Sequence, residues 1–351
     1  MRFHPGFRTS VLCTMTAVSG VLSTGCPYRN EKIVVHRDGS IAMNVRFEGT
    51  AADMDRFDAM PSESGGWKVE RAVEKKDKEE DRHILTASRD FAPGATLPAS
   101  YAAEGEADAD LVVQFPTTLT IETRSDGVYY TFRRVYLARP WAYAHHIEEM
   151  LLDENVKKLT EKPVEELTPD ERNQVLQALL GVEAYRQAEF SRIAFENAGV
   201  EAPIEAWLLA RGALLETYEA ASEQLDQIFR QCLSLPDPRR TECYDAEARR
   251  LSADGYEAML QSLRGRSAWN DTRIGAFERA FARARRFHEI SGDLGGNAFE
   301  IEVTMPGELI AHNGDKFEVG GSSDAVVKWQ FEGKAFLDRA HELIVVSRVV
   351  K

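Results

Sequence analysis

Phe299-Glu300-Ile301-Glu302-Val303-Thr304-Met305 alternates apolar and polar residues without a break. A period of two marks a strand with one buried face. The run decides the fold because a long block of helical periodicity precedes it. More strand-like sequence follows: Val327, Trp329 and Phe331 alternate, Leu343–Val350 closes the chain, and Asn313-Gly314 supplies a turn. Three or so short strands make a marginal sheet by themselves. They are therefore expected to pair with strands from the front of the chain. The expected fold is α+β: an antiparallel β-sheet formed by the N- and C-terminal segments, 31–141 and 298–351, with a large α-helical insertion over 142–291.

The front of the chain carries the partners. Ile41, Met43, Val45 and Phe47 alternate with Ala42, Asn44 and Arg46 after an Asp38-Gly39 turn. Trp67–Val73 and His83–Ser88 read as a second pair around Glu74–Arg82 (EKKDKEEDR), a solvated hairpin tip. Leu111–Phe115, Leu119–Arg124 and Val128–Val135 follow, the last two joined through Ser125-Asp126-Gly127. These are hairpins of a sheet that can keep one face wet.

The period changes after Pro140-Trp141. Ala142–Leu152 reads as a short helix. Thr168-Pro169-Asp170-Glu171 is a capping box with proline in the first turn, opening a helix to about Asn197 with Val175, Leu179 and Val182 on its buried stripe. A second long helix, Ile204–Leu233, has the stripe Trp207, Leu214, Tyr218, Ala221, Leu225, Ile228 and Cys232. Pro236 and Pro238 end it; Thr241–Leu263 returns, and Ser267–Ile290 is the last helix. Short connections predict antiparallel helical packing.

Val11–Cys26, VLCTMTAVSGVLSTGC, sets the address. Arg2 and Arg8 precede an apolar run too short to span a bilayer, which reads as a secretory signal over 1–25. Leu22-Ser23-Thr24-Gly25-Cys26 resembles the bacterial lipobox, with Ser23 where leucine is usual and Leu22 one step further out. This implies lipidation of Cys26 and a tether over 26–30. The chain is then expected to be exported and held by lipid on the cell membrane or outer membrane, facing away from the cytoplasm. At 43% hydrophobic and 28% charged residues, composition is that of a globular protein. A net charge of −14 disfavours nucleic acid as a partner, because phosphate binding needs concentrated positive charge.

With Cys13 in the signal and Cys26 as lipid acceptor, Cys232 and Cys243 remain as a pair flanking the proline turn. An oxidising compartment allows a disulfide between them; two buried thiols is the rival reading. His145-His146-Ile147-Glu148-Glu149, with Asp153, is the most metal-like cluster. Adjacent histidines diverge by about 100° on a helix, so an exposed polar helix is the better reading and no metal or other cofactor is expected. Glu104–Asp110 (EGEADAD) lacks the sixth-position glycine and the terminal glutamate of a calcium loop. Arg279, Arg283 and Arg286 lie opposite Phe277, Phe281 and Ala284, as on a core-packing helix whose arginines pair with acids; a basic amphipathic helix that meets lipid headgroups is the rival reading. His288-Glu289 has no second histidine to complete a zinc motif, and the serines of Gly321-Ser322-Ser323-Asp324 sit in a turn. No catalytic motif is present, so no catalytic residue is assigned.

Met305-Pro306-Gly307-Glu308, Asn313-Gly314 and Val327-Lys328-Trp329-Gln330-Phe331 resemble the end of the β-rich ectodomain of LppM-type bacterial lipoproteins. The early strand after Asp38-Gly39 is similar to that family's opening. The resemblance covers the two β segments only. It implies an envelope-attached ectodomain with an envelope protein or lipid as partner, and it carries no catalytic residues. The expected function is a lipid-anchored binding or scaffold module. One alternative is a carrier of a small apolar ligand in a cavity lined by Trp67, Tyr130, Phe132 or Trp329; another is an enzyme with an unfamiliar site.

Overall fold

The computed structural model describes residues 28–351 except 57–58, 76–79, 104–107, 142–149, 151, 161, 163–165, 198–202, 236–238, 265–268 and 320–323. The chain divides into a helical unit, Tyr143–Arg286, and a β unit that combines Thr24–Ala142 with Phe287–Lys351. The architecture is α+β, with the helical block inserted between N- and C-terminal strands.

The β unit contains β1 (Tyr28–Val35), β2 (Ile41–Gly49), α1 (Ala51–Arg56), β3 (Lys68–Glu74), β4 (Arg82–Phe91), β5 (Thr117–Arg124) and β6 (Gly127–Tyr136) before the insertion. After it come β7 (Ala298–Met305), β8 (Glu308–His312), β9 (Lys316–Val319), β10 (Ala325–Glu332) and β11 (His341–Val350). These strands form two sheets rather than one, a seven-stranded sheet β3-β4-β2-β1-β7-β10-β9 and a four-stranded sheet β5-β6-β11-β8. N- and C-terminal segments meet in both. β6 pairs with β11 from Gly127↔Val350 to Tyr136↔His341, and β1 pairs with β7 from Tyr28↔Ala298 to Val34↔Thr304.

The β1–β7 pairing is parallel, alone among the strand pairs of the described residues. Parallel neighbours need a long crossover, and everything from β2 to the last helix supplies it. The alternation of β7 places Phe299, Ile301, Val303 and Met305 in the core. Each such side chain contributes roughly 1.5–3 kcal/mol by leaving water. The core also receives Met43, Val45 and Phe47 from β2, Phe132 from β6, Val327 and Trp329 from β10, and Leu343 and Val345 from β11.

Three expectations about this unit change. Residues 28–30, assigned to the tether, belong to β1, and Arg29 is buried. Leu111–Phe115 forms no strand. Leu111, Val112, Val113 and Phe115 are all buried, and a strand cannot turn successive residues to one side. The segment is held instead by Phe115 N–H to Ala99 O (2.6 Å), Leu137 N–H to Gln114 O (2.9 Å) and the Gln114 amide on Ala109 O (2.7 Å). The C-terminal region holds five strands where about three were expected, because β8 and β9 lie in different sheets on either side of the Asn313-Gly314 turn.

The PG turn also has a physical reason. Gly307 has φ +82, and a Cβ there would lie 2.2 Å from Arg348 O. Asn313 ties strands together: its Oδ1 accepts from the Trp329 indole (3.0 Å) and Ile344 N–H (2.9 Å), and its amide donates to Glu342 O (2.7 Å).

The helical unit comprises α2 (Glu154–Thr160), α3 (Pro169–Asn197), α4 (Pro203–Leu233), α5 (Arg239–Arg264) and most of α6 (Asp271–Leu294), whose residues from Phe287 belong to the β unit. The helix expected over Ala142–Leu152 lies almost entirely outside the described residues. The capping box forms as read: Glu171 N–H donates to Thr168 Oγ1 (3.3 Å), and Thr168 N–H donates to Glu171 Oε2 (2.8 Å). α4 packs against both α3 and α5. The α4 stripe buries Leu214, Tyr218, Ala221 and Cys232. Gly255 on α5 lets the helices approach, since a Cβ there would come within 2.9 Å of both Leu214 and Tyr218.

Candidate functional site

β1 carries Arg29, Glu31, Ile33 and Val35 on the phase that faces the core, so its first two inward positions are charged. From the facing sheet, β6 brings Arg134. All three side chains are sealed from water. Arg29 reaches Glu31 Oε1 through Nε (2.7 Å) and Nη2 (2.6 Å). Arg134 Nη1 takes the other oxygen, Oε2, and its Nε donates to Thr117 Oγ1 at 2.9 Å. One carboxylate thus bridges two guanidiniums and joins the two sheets.

Aromatic rings line the remaining space. The Arg29 Cζ lies 4.6 Å from the centre of the Tyr101 ring, 4.9 Å from Phe115 and 5.3 Å from Phe299. Arg134 Cζ lies 4.8 Å from the same Phe115 ring. Ring faces attract cations, worth about 2 kcal/mol when the cation is desolvated, which offsets part of the cost of burying charge. Burial pushes the Glu31 carboxyl up, but Arg134 and Arg29 overcome it and hold the group down at about 2. Burial also pushes the Tyr101 phenol well above its usual value. Glu31 is therefore charged at neutral pH and neither gives nor takes a proton. The arrangement is an ionic clamp between sheets.

Arg139 makes a second buried contact in this unit. Its Nε donates to Ser291 Oγ (3.0 Å), and its Cζ stands 4.2 Å over the Phe287 ring. Its backbone bonds to Phe336 O (3.0 Å) and accepts from Asp338 N–H (2.7 Å).

The helical unit buries uncharged side chains, Gln187 and Ser252, bonded to the half-buried Glu183 carboxylate. Gln187 on α3 donates to Ser252 Oγ (2.6 Å), Ser252 O (3.1 Å) and Glu183 Oε1 (3.1 Å). Ser252 on α5 donates in turn to Glu183 Oε1 (3.1 Å). A serine hydroxyl on a carboxylate is part of a nucleophile arrangement, but no histidine joins these bonds, and Ser252 and Glu183 lie beside the buried Tyr218. The cluster pins α3 to α5.

Cys232 and Cys243 stand at disulfide distance, S–S 2.00 Å and Cα–Cα 5.5 Å, the latter within the ordinary range for a bridge. Cys26, the histidine pair with Glu148 and Glu149, and the serines of 321–323 lie outside the described residues. So do residues 104–107 of the acidic stretch, whose Asp108 and Asp110 fall in a turn. Among the described residues no group of three or more His, Cys, Asp or Glu is placed to hold a metal ion. None of the described helices is long and apolar enough to cross a membrane.

Phe277, Phe281 and Ala284 are buried in the helical core, and neither Arg283 nor Arg286 on the opposite side is without a partner. His288 lies against Trp141, ring centres 4.7 Å apart and planes tilted by 45°. Trp67, Tyr130, Phe132 and Trp329 are all members of the packed sandwich core, which favours the filled-core reading of these aromatics over a ligand cavity. An open surface recess of about 450 Å³ is lined by Ser62, Glu63, Ser64, Val69 and Arg71.

The clamp is what sequence reasoning missed. By sequence, Arg29 falls in the tether over 26–30 and the β region starts at Glu31, without either charge turned inward. The available signal was phase: Arg29 and Glu31 continue the spacing of Ile33 and Val35, so a strand drawn back two residues would have turned both charges inward. Comparison with family models, with curated proteins and with solved structures finds no match to this chain.

Proposed function

We propose that this chain is an exported envelope protein, anchored through lipid on Cys26, that serves as a binding or scaffold module. The observation that carries the reading is the Cys232–Cys243 pair at disulfide distance, since such bonds persist outside the reducing cytoplasm. The N-terminal basic, apolar and lipobox-like sequence supports it, as does the resemblance of the β segments to LppM-type lipoproteins. β1 begins at Tyr28, two residues beyond Cys26, which spans at most about 7 Å of extended chain. Lipid on Cys26 would thus hold the β unit close to the membrane surface. The helical unit offers the surface for an envelope partner.

Intact-mass measurement of the protein taken gently from its native envelope tests this. The expected chain starts at Cys26, carries acyl mass, and is two hydrogens lighter than its fully reduced form. An unmodified chain that retains Met1 would overturn the export reading.

A further inference from the structure

The two sheets of the β unit have four edges, and one is unlike the rest. β3 carries Lys68, Glu70, Arg71 and Glu74, and β9 carries Lys316 and Glu318. Charges of this kind keep an edge from pairing with another chain. β8 is only five residues long, and its register with β11 shifts between Val346 and Ser347, a bulge that serves the same end. β5, Thr117-Thr-Leu-Thr-Ile-Glu-Thr-Arg124, has no charge in its first five residues and no irregularity in its pairing with β6. It is exposed from Glu122 to Arg124 and at Thr118, Thr120 and Ile121, and among the described strands only β6 pairs with it. Ile121 stands 44% exposed.

The backbone row of this edge can be assigned. Val135 N–H donates to Pro116 O (3.1 Å). Antiparallel partners alternate between bonded and non-bonded pairs, so even-numbered residues 118–124 bond toward β6. Thr117, Leu119, Ile121 and Thr123 therefore turn their N–H and C=O groups outward. An extended backbone row is matched by another extended backbone.

We propose that β5 pairs antiparallel with β5 of a second copy of this chain, about a two-fold axis at Thr120. This occupant is favoured by the strand's own pattern. The axis sets Leu119 opposite Ile121 and Thr117 opposite Thr123, so outward-facing backbone meets outward-facing backbone in both copies. Each exposed Ile121 gains an apolar cross-strand neighbour. Glu122 falls opposite Thr118, and Arg124 opposite Pro116, so no like charges oppose. The two four-stranded sheets become one continuous sheet of twice the width. The proposal does not depend on the lipid anchor.

Sedimentation of the full chain over a range of concentrations should show a monomer–dimer equilibrium. Ile121→Lys should leave a monomer at concentrations where the parent is dimeric, with an unchanged far-ultraviolet circular dichroism spectrum. Thr120 lies on the axis in a non-bonded pair, where side chains approach most closely. Thr120→Cys should therefore form a covalent dimer on mild oxidation beyond any seen with the unsubstituted chain, and Thr118→Cys should not. A chain that stays monomeric throughout would overturn the proposal. So would open-ended aggregation, or a dimer that survives Ile121→Lys and is not trapped by Thr120→Cys.

Discussion

The two units bury polarity in opposite ways. Among the described residues, every buried charged side chain lies in the β unit: Arg29, Glu31, Glu48, Asp53, Arg134 and Arg139. The buried polar groups of the helical unit are neutral: Gln187, Ser191 and Ser252. The difference follows from how each is assembled. The β unit is built from segments far apart in sequence, and its sheets need correct register as well as burial. A carboxylate that accepts from β1 and from the facing β6 makes a slipped register costly, because it would strand charges in the core. The helices of the other unit follow one another in sequence, so apolar stripes and short connections already select their neighbours. A cysteine pair at disulfide distance and the cluster of Gln187, Ser252 and Glu183 suffice there.

The sharpest way to break this contrast is Glu31→Gln. The substitution keeps the shape but leaves two buried guanidiniums without their shared anion, and breaking a buried pair costs about 3–5 kcal/mol. Urea unfolding followed by tryptophan fluorescence measures the loss. The same residue fixes an acid limb. Its folded value of about 2 lies below the ordinary 4.5, so its stabilisation is fully present above pH 4.5 and is lost as pH falls toward about 2. Glu31→Gln should flatten that part of the stability profile.

Replacing Cys232 and Cys243 by serine should cost the helical unit about 3 kcal/mol in the chain-entropy model, read as a lower melting temperature by circular dichroism. Gln187→Ala removes one donor from Glu183 and the donor to Ser252, leaving Glu183 only its bond from Ser252, and should cost roughly 1–3 kcal/mol in the same assay.

The smallest effect belongs to His341, at the start of β11. Burial, helped by Arg339 and opposed by Asp315, lowers its value below the ordinary 6.5. The unfolded chain then takes up the proton first as pH falls. Stability should be full above pH 6.5 and decline below it, until the folded histidine also protonates. Denaturant midpoints across that range, with His341→Gln as the control that lacks the slope, check the sign.

How far the sequence could be read tracks the same contrast. The strands of β2 and β7, the capping box at Thr168 and the buried face of α4 were legible because local periodicity or a short motif specifies them. The pairing of N- and C-terminal strands followed from the weakness of a small sheet on its own. The division into two sheets, the parallel β1–β7 junction and the buried Leu111–Phe115 segment were not legible, because each depends on contacts distant in sequence. The clamp was hidden for a further reason. Charged residues are ordinarily assigned to the surface, and only the phase of Ile33 and Val35 marks Arg29 and Glu31 as inward.

Hydrogen–deuterium exchange of the full chain and its Glu31→Gln variant tests the ionic clamp most directly. The account predicts loss of amide protection in β1, β6, β7 and β11, with protection in α3, α4 and α5 retained. Unchanged exchange in the four strands, or equal loss in strands and helices, would contradict it.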